Sequence, residues 1–522
     1  MSLTTLEFEL REALDEAAVP RLLARQLRVE SGRATPADRV LLDTFDARLR
    51  AEGLHAEWPA RRAATRQLTV HAPGDPARRA DVADRPAIGV AALPAGPVRD
   101  RLAAVLEERA LLPLARVRSR ILPLAVVNGD DKTVVRLAFE RPVVLRDRTE
   151  VPLAPRLRVE AVRGYDREFE RTVRALRDEL GLPPAGTSLF DAAVRAAGGR
   201  PEGVSSKARV DLQPGTRADV ATGLVLTRLA DIAEANVPGT LDDLDTEFLH
   251  DLRVSIRRAR SVLRELRGVH ALDPRDRLRT ELKWAQALTG PVRDLDVQLL
   301  EWEALANSLP PQHRADLEPL RRLLLRRRAQ ELRRLQRGLR SRRFAAMLQA
   351  WRALATVPPG PDDDPDRPRT RLATEVVTAD RIRSVYRRMV RDGRAIDASS
   401  PDTALHELRK RGKELRYLLE LFGGLFPREV VKPMVGALKD LQDVLGRFQD
   451  RAVQTAMLRE RADELAAEPG GPNAVLAVGL VISALEADQR DARDGFEERF
   501  DAFAARRQRA LVRDTFRKAE RV

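Results

Sequence analysis

The chain has 522 residues, more than one compact core usually holds, so two or three domains are expected. It contains no cysteine, which excludes disulfides, thiolate catalysis and Cys-ligated metals and fits a reducing cytoplasm. The net charge is +14, and only 8 of the 93 basic residues are lysine. Arginine suits phosphate because its guanidinium donates two parallel hydrogen bonds, although a GC-rich genome produces the same bias.

The sequence favours a soluble protein. Its start, MSLTTLEFEL, lacks the basic and then apolar pattern of a signal peptide. The longest apolar run, Ala474 to Leu485, has about 12 residues, whereas a membrane span needs roughly 20. We therefore expect a cytoplasmic location and no membrane partner.

Short β-like runs dominate residues 1 to about 165, and Gly, Pro and Asp separate them. These runs are Leu6–Leu10, Arg66–Ala72, Ala87–Leu93, Val117–Val127, Thr133–Leu145 and Leu157–Val162. Helical patterns interrupt them near Ala13–Val29 and Asp166–Leu180. The pattern predicts an α+β domain over residues 1–195, with an antiparallel tunnel-like or barrel-like sheet, and a linker over 196–215.

Helical periodicity replaces the β-like runs from about residue 217. The helical domain is predicted over 216–508, followed by a tail over 509–522. An acidic, proline-rich break at Pro358–Pro368 cannot continue a helix and divides the domain into halves. We place repeat one at 216–355, the linker at 356–370 and repeat two at 371–508.

The two halves are sequence repeats. HDLRVSIRRAR begins at His250 and HELRKRGKELR begins at His406, an offset of 156 residues. LKWAQALTGPVRDLDV begins at Leu282 and LKDLQDVLGRFQDRAV begins at Leu438, which is the same offset. Two blocks at one offset indicate a duplicated unit of about four helices, and so an all-α domain with pseudo-twofold symmetry.

One helix in each half carries a basic stripe. Positions +3, +7 and +10 from the histidine stay within an arc of roughly 80°. The stripes comprise His250, Arg253, Arg257 and Arg260 in the first half, and His406, Arg409, Lys413 and Arg416 in the second. Arg258, Arg264 and Lys410 extend the charge, and Arg293 lies in the block behind the first stripe.

These stripes favour a long anion as ligand. Like charges at this helical spacing repel, so a unit that keeps them in both copies is expected to hold an anion. Solvated helix faces remain the alternative. A further basic helix from Arg321 to Arg343 is another candidate to reach the ligand. Each histidine stands among cations in the sequence, so we assign no metal, and Asp294 and Asp450 are expected to orient basic side chains or cap a helix.

The two His-headed helices, with GPVRDLDV and GRFQDRAV behind them, resemble the CHAD domain, a conserved-histidine α-helical domain, over roughly residues 212–505. The resemblance implies two pseudo-twofold-related four-helix bundles. It also implies a basic central pore that binds inorganic polyphosphate, often at polyphosphate granules. The implied ligand-binding residues are those of the two stripes. Lys413 keeps the charge of its slot without the guanidinium fork.

The N-terminal part resembles the CYTH or triphosphate tunnel family. Glu7-Phe-Glu9-Leu-Arg11 resembles its opening motif, with Arg in place of Lys, and Asp43-Thr44 resembles the next landmark. The family implies carboxylates that hold Mg or Mn while basic residues grip a triphosphate. Three segments depart from that pattern: Leu54-His55-Ala56-Glu57, Thr69-Val70-His71 and Arg158-Val-Glu160.

We therefore predict a polyphosphate-binding protein that needs no cofactor and has a degenerate tunnel domain. One alternative is a metal-dependent tripolyphosphatase with Glu7, Glu9 and Arg11 as candidate catalytic residues and the helical domain recruiting substrate. The other is a nucleic-acid-binding protein, which the scarcity of aromatic residues disfavours.

Overall fold

A computed structural model describes residues 5–12, 14–61, 64–72, 77–357 and 365–519. The chain forms two compact units, Met1–Ser205 and Ser206–Val522. The first is an antiparallel sheet unit and the second is helical, so this part of the predicted fold is confirmed. Closure of the sheet into a tunnel and the division into two four-helix bundles stay predictions.

Eleven strands form one sheet within the described part of the first unit. They are β1 Thr5–Glu9, β2 Val29–Ser31, β3 Thr35–Asp43, β4 His55–Pro59, β5 Thr65–His71, β6 Arg78–Ala83, β7 Leu112–Val127, β8 Thr133–Glu140, β9 Val143–Arg146, β10 Thr149–Pro152 and β11 Arg156–Ala161. The main path runs β1-β11-β8-β7-β3-β4-β5-β6, while β2 and β9 also pair with β7 and β10 pairs with β9.

The longest strand, β7, organises this sheet. Its 16 residues largely alternate between buried and exposed side chains, which is the period-two pattern of a strand with one packed face. β3 and β9 pair with its first half, whereas β2 and β8 pair with its second half. Helices cover the edges and faces of the sheet: α1 Ala18–Leu23, α2 Arg48–Ala51, α3 Pro97–Leu106, α4 Asp166–Arg174 and α5 Leu189–Ala196.

Three expectations for this unit were wrong. Ala87–Leu93 is not a strand: it contains a 3-10 turn, and only Ile88 makes an isolated bridge, to Leu111. Short apolar runs do not separate strand from turn by periodicity alone. The helix expected over Ala13–Val29 is limited to α1 because Val29 begins β2, and Ala13 lies outside the described residues. The run Thr133–Leu145 is divided into β8 and β9.

The second unit contains thirteen α-helices in its described part. They are α6 Ala218–Leu241, α7 Thr246–Glu265, α8 Leu272–Leu300, α9 Trp302–Asn307, α10 Glu318–Leu339, α11 Arg342–Ala355, α12 Thr374–Arg394, α13 Asp402–Phe422, α14 Arg428–Glu460, α15 Ala462–Ala466, α16 Gly471–Asp494, α17 Phe496–Phe503 and α18 Arg506–Ala519. Part of the predicted break, residues 358–364, lies outside the described residues.

The helices repeat in both sequence position and packing. The starts of α6 and α12, of α7 and α13, and of α8 and α14 are each 156 positions apart. In the first half α7 packs on α6 and α8, α8 packs on α10, and α11 packs on α6. In the second half α13 packs on α12 and α14, α14 packs on α16, and α18 packs on α12. The duplication read from the sequence is therefore present in the fold.

One hydrophobic core joins the two halves. It includes Leu252, Ile256 and Ala259 of α7 together with Leu408 and Leu415 of α13, all buried. These residues follow helical spacing, so each helix turns one apolar face to the shared core. A separate apolar cluster packs the ends of α8 and α14 against α10 and α16.

One helical stretch of the described chain, Gly471–Phe503, is long and apolar enough by length and composition to cross a membrane. Core helices of soluble proteins pass the same test, so this stretch is weak evidence for a membrane location.

Candidate anion-binding groove

The two basic stripes begin on well-defined helices. Asp245 caps α7, because its side chain accepts hydrogen bonds from the backbone N–H groups of Glu247 at 2.9 Å and Phe248 at 3.2 Å. The apolar residues of α7 and α13 face the shared core. Several stripe residues therefore lie at the border between core and solvent, where α7 and α13 approach each other.

Two cavities that share lining residues lie beside α7 and α13; we call them basins and the two together the groove. The first basin has a volume of about 550 Å³. Residues of α7, α8 and α13 form its walls, with seven basic and two acidic side chains. The lining residues are Arg257, Arg260, Ser261, Arg264, Asp276, Arg279, Thr280, Lys283, Gln286, Lys410, Lys413, Glu414 and Tyr417. Such an excess of cations in a concave site produces a positive potential that attracts anions.

The second basin has a volume of about 490 Å³ and a smaller charge excess, with six Arg or Lys and four acidic side chains. It is lined by Ser206, His250, Asp251, Val254, Arg257, Arg258, Arg409, Lys413, Arg416, Tyr417, Glu420, Gln442, Asp443, Gly446, Arg447 and Asp450. The first basin thus has the larger excess of positive charge.

Three residues line both basins: Arg257, Lys413 and Tyr417. Arg257 and Lys413 occupy the same slot of the two repeats, 156 positions apart. The guanidinium of Arg257 lies 5.5 Å from the centre of the Tyr417 ring. Within the described part of the chain, neither Arg257 nor Lys413 forms an ion pair with a carboxylate. These two cations mark the centre of the groove and are available to a ligand.

The two basins are held by matching contacts. Arg260 donates to the side-chain oxygen of Gln286, and Arg416 donates to that of Gln442 at 3.3 Å. Arg416 also donates to Glu420 at 2.6 Å. Arg260 is equivalent to Arg416 in the repeats, and Gln286 is equivalent to Gln442. The same arginine–glutamine hydrogen bond therefore occurs in both walls.

Several buried donors on these walls lack a protein partner among the described residues. They are Nε of Arg257, Nε of Arg258, Oγ of Ser261 and Nε2 of Gln442. A buried polar group without a partner costs roughly 1–3 kcal/mol. The groove walls therefore contain buried donors that the described protein does not satisfy.

Of the twelve residues predicted from the sequence, nine line the basins and three do not. Arg253 instead donates to the carbonyl of Gln286 and to Oγ1 of Thr289, both at 3.0 Å, and so ties α7 to α8. Arg293 lies 3.6 Å from Glu247. The ring of His406 hydrogen-bonds Oε1 of Gln449 at 2.8 Å. These three residues support the groove walls.

His250 has different neighbours from those expected. Ligand atoms of Glu247, His250 and Asp251 all lie within 4.8 Å of one another, so His250 does not stand alone among cations. Asp450 accepts a hydrogen bond from Arg409 at 3.0 Å, which is the orienting role predicted for it.

Sequence reasoning missed part of the wall that α8 and α14 provide. Arg279, Lys283 and Gln286 come from α8, and Gln442 and Arg447 from α14. Four of these five, all except Arg279, lie in the repeated blocks LKWAQ and LKDLQDVLGR, so the repeat was the signal that could have found them.

The arginines of α10 have another role. None of them lines either basin. Arg326 pairs with Glu468, Arg327 pairs with Glu464, and Arg328 pairs with the buried Asp296 at 2.6 Å. They therefore bind helices together and do not extend the groove.

The sheet unit has its own cavity, with a volume of about 620 Å³. Glu7, the stacked rings of His55 and His71, and four arginines line it: Arg39, Arg79, Arg136 and Arg158. Glu9 does not line it but lies 3.8 Å from Arg156, and Arg11 is exposed beyond β1.

The acids of this cavity are paired with arginine. Glu7 is 2.9 Å from Arg156, and the other two pairs are Glu57 with Arg39 at 3.2 Å and Glu160 with Arg158 at 3.1 Å. Burial and the neighbouring charges lower the pKa of His71 to about 4, so it is neutral near pH 7. A metal ion would have to displace these arginine pairs to reach the carboxylates.

Comparisons with known proteins found similarity to one family and to solved structures. A family model described as the CHAD domain matches residues 224–459. The chain is similar to the crystal structure of the CHAD domain from the plant Ricinus communis, with 22% identity, 57% of this chain and 94% of that chain covered, and a TM-score of 0.47. It is also similar to PptA from Streptomyces chartreusis, with 19% identity, 55% and 100% covered, and a TM-score of 0.42. No curated protein matches significantly. The helical unit of this chain contains a CHAD domain at residues 224–459.

Proposed function

We propose that the groove between the two repeats binds inorganic polyphosphate. The observation that carries this proposal is the central pair Arg257 and Lys413, which lines both basins without a carboxylate partner among the described residues. A polyphosphate chain carries about one negative charge per residue and only oxygen acceptors. Charge-assisted hydrogen bonds and the release of counterions would hold such a chain along both basins.

The same groove suits nucleic acids poorly. Proteins that hold single strands without sequence preference use aromatic side chains as stacking platforms for bases. Tyr417 is the aromatic residue among those that line the two basins, and it is 7% exposed. Arg257 and Arg258 approach its ring at 5.5 and 5.9 Å. The ring is therefore occupied, and polyphosphate is the better ligand.

A competition experiment tests this proposal. Labelled long-chain polyphosphate bound to the full chain should resist displacement by duplex DNA or by RNA at equal phosphate concentration. Unlabelled long polyphosphate should displace it, and added salt should weaken binding steeply. Displacement by nucleic acid at equal phosphate would make nucleic acid the ligand and would remove the proposal.

Hydrolysis in the sheet unit is the second candidate function, because its cavity brings three glutamates and four arginines together. The arginine pairing of these glutamates disfavours a metal site, so we expect no release of phosphate from tripolyphosphate beyond a protein-free blank with Mg²⁺ or Mn²⁺. Release that Glu7→Gln abolishes would establish the enzyme. Glu150→Gln is the matched control, since Glu150 lies on β10 of the same sheet, is exposed and does not line the cavity.

A further inference from the structure

Lys413 differs from the other lysines of the chain. The structure describes the side chains of seven lysines, and six of these are exposed. Lys413 alone is half-buried, at the point where the two basins meet. The six exposed lysines are Lys132, Lys207, Lys283, Lys410, Lys432 and Lys439.

The charges around this amine are mainly positive. Arg257 approaches from α7, and Arg409 and Arg416 lie on α13 itself. From α14 Asp450 opposes them, and Arg409 already holds that carboxylate at 3.0 Å. Glu414, the next residue, is held by Arg264 at 2.8 Å. The ammonium form of Lys413 is therefore disfavoured by its position.

Burial is the largest cause of this effect and the neighbouring arginines add to it, so the pKa of Lys413 falls to about 8. Lys413 therefore loses its proton at a lower pH than an ordinary lysine does. As the pH rises through about 8, the neutral amine becomes the main form. Near neutral pH a larger fraction of Lys413 is therefore neutral than of a lysine of ordinary pKa.

We propose that Lys413, where the two basins meet, is a modification site that is acylated at Nζ by small acyl phosphates bound in the groove. The inference rests on the proposed phosphate binding, because the arginines that would hold polyphosphate would hold the phosphate of the acyl donor. A desolvated lysine beside other cations is a known way to make an amine nucleophilic.

The reaction balances without a further reagent. Nζ of Lys413 attacks the carbonyl carbon with its lone pair and forms the C–N bond. The bond from that carbon to the phosphate oxygen breaks, and the phosphate leaves with the bonding electrons. Arg257, Arg409 and Arg416 stabilise the charge on the departing phosphate, and the proton lost from Nζ passes to phosphate or water. The product is a neutral amide at the centre of the groove.

Acylation would also control the proposed function. The amide removes one of the two cations shared by the basins, so an acylated chain should bind long polyphosphate at least about tenfold more weakly. Bound polyphosphate should in turn protect Lys413.

The test is the acetylation rate of each lysine in the full chain treated with acetyl phosphate, measured by peptide mass spectrometry. Lys413 should react about tenfold faster than Lys410, which lies on the same helix and pairs with Glu407 at 2.7 Å. The larger neutral fraction of Lys413 raises its acetylation rate, but an amine of lower pKa is also a weaker nucleophile, which offsets part of this increase. The rate at Lys413 should level off above pH 8, while the rates at exposed lysines continue to rise.

Two comparisons separate the possible results. A neutral acylating ester reports amine reactivity alone. If the ratio of the rate at Lys413 to the rate at Lys410 is larger with acetyl phosphate than with the ester, the difference supports phosphate recognition. Equal rates at Lys413 and Lys410 with acetyl phosphate would overturn the inference. If Lys413 reacts selectively but long polyphosphate gives no protection, the modification site stands and polyphosphate binding fails.

Discussion

Replacing Arg257 and Lys413 together by alanine should weaken binding of long polyphosphate by about a hundredfold or more. Both residues line both basins, so a chain that spans the groove meets them wherever it lies. A hydrogen bond to a charged group contributes roughly 1.5–3 kcal/mol, and each 1.4 kcal/mol is a tenfold change in affinity. Titration of the full chain with polyphosphate of defined length at two salt concentrations measures the effect.

The control must remove equal charge from the same unit. Arg333→Ala with Arg340→Ala serves, because both residues are exposed and neither lines the groove. The control should bind with nearly unchanged affinity and salt dependence, and circular dichroism should show that both variants are folded. Equal affinities of the two variants would mean that the stripes are only solvated helix faces.

Arg253 is a less useful probe, although it belongs to the same stripe. Its hydrogen bonds to Gln286 and Thr289 hold α7 on α8. Substitution by alanine would lower both affinity and stability, and the two effects could not be separated by binding data alone.

Arg328→Ala should lower the free energy of unfolding of the helical unit by about 3–5 kcal/mol. Nε of Arg328 donates to Asp296 at 2.6 Å, and Nη1 and Nη2 donate to Asp243 at 2.8 and 2.7 Å. Asp296 is 1% exposed, and its other carboxylate oxygen has no partner among the described residues. Removal of the arginine would leave the buried carboxylate of Asp296 without its hydrogen-bond donor.

Denaturant unfolding followed by circular dichroism measures this loss, with Arg333→Ala on the same helix as the control. Asp296→Asn placed in the Arg328→Ala background should restore part of the stability, since an amide is cheaper to bury than a charge. A loss below about 1 kcal/mol in Arg328→Ala would place this contact with ordinary surface ion pairs.

Local periodicity made the helical unit predictable. Leu252, Ile256 and Ala259 keep helical spacing and are buried, and the offset between His250 and His406 reappears in the helix starts. The sheet was harder, because β3 contains Pro36 and β4 ends at Pro59, and proline weakens the sequence pattern of a strand. Pairing of β3 with β7, and of β4 with β3 and β5, overrides that weakness, and pairing is not a local property.

The site prediction was incomplete for the same reason, because contacts between helices are not a local property of the sequence. A stripe on one helix identifies cations on the same face, but it does not reveal which of them a neighbouring helix engages. Arg253 belongs to the stripe and yet is held by α8, whereas Lys283 was missed because it reaches the first basin from α8. Both outcomes depend on how α7 packs on α8.

The position of Arg257 opposite Lys413 bears on how such a groove could arise. Two identical single-repeat chains paired about a twofold axis would build the same two basins, and each central residue would face its own counterpart. In such a homodimer any change at that position would occur twice. A fused chain is free of this constraint. Here the equivalent positions of the two repeats hold different residues: Arg257 corresponds to Lys413, and Arg264 corresponds to Glu420. Gene fusion thus allows one end of the groove to evolve separately from the other.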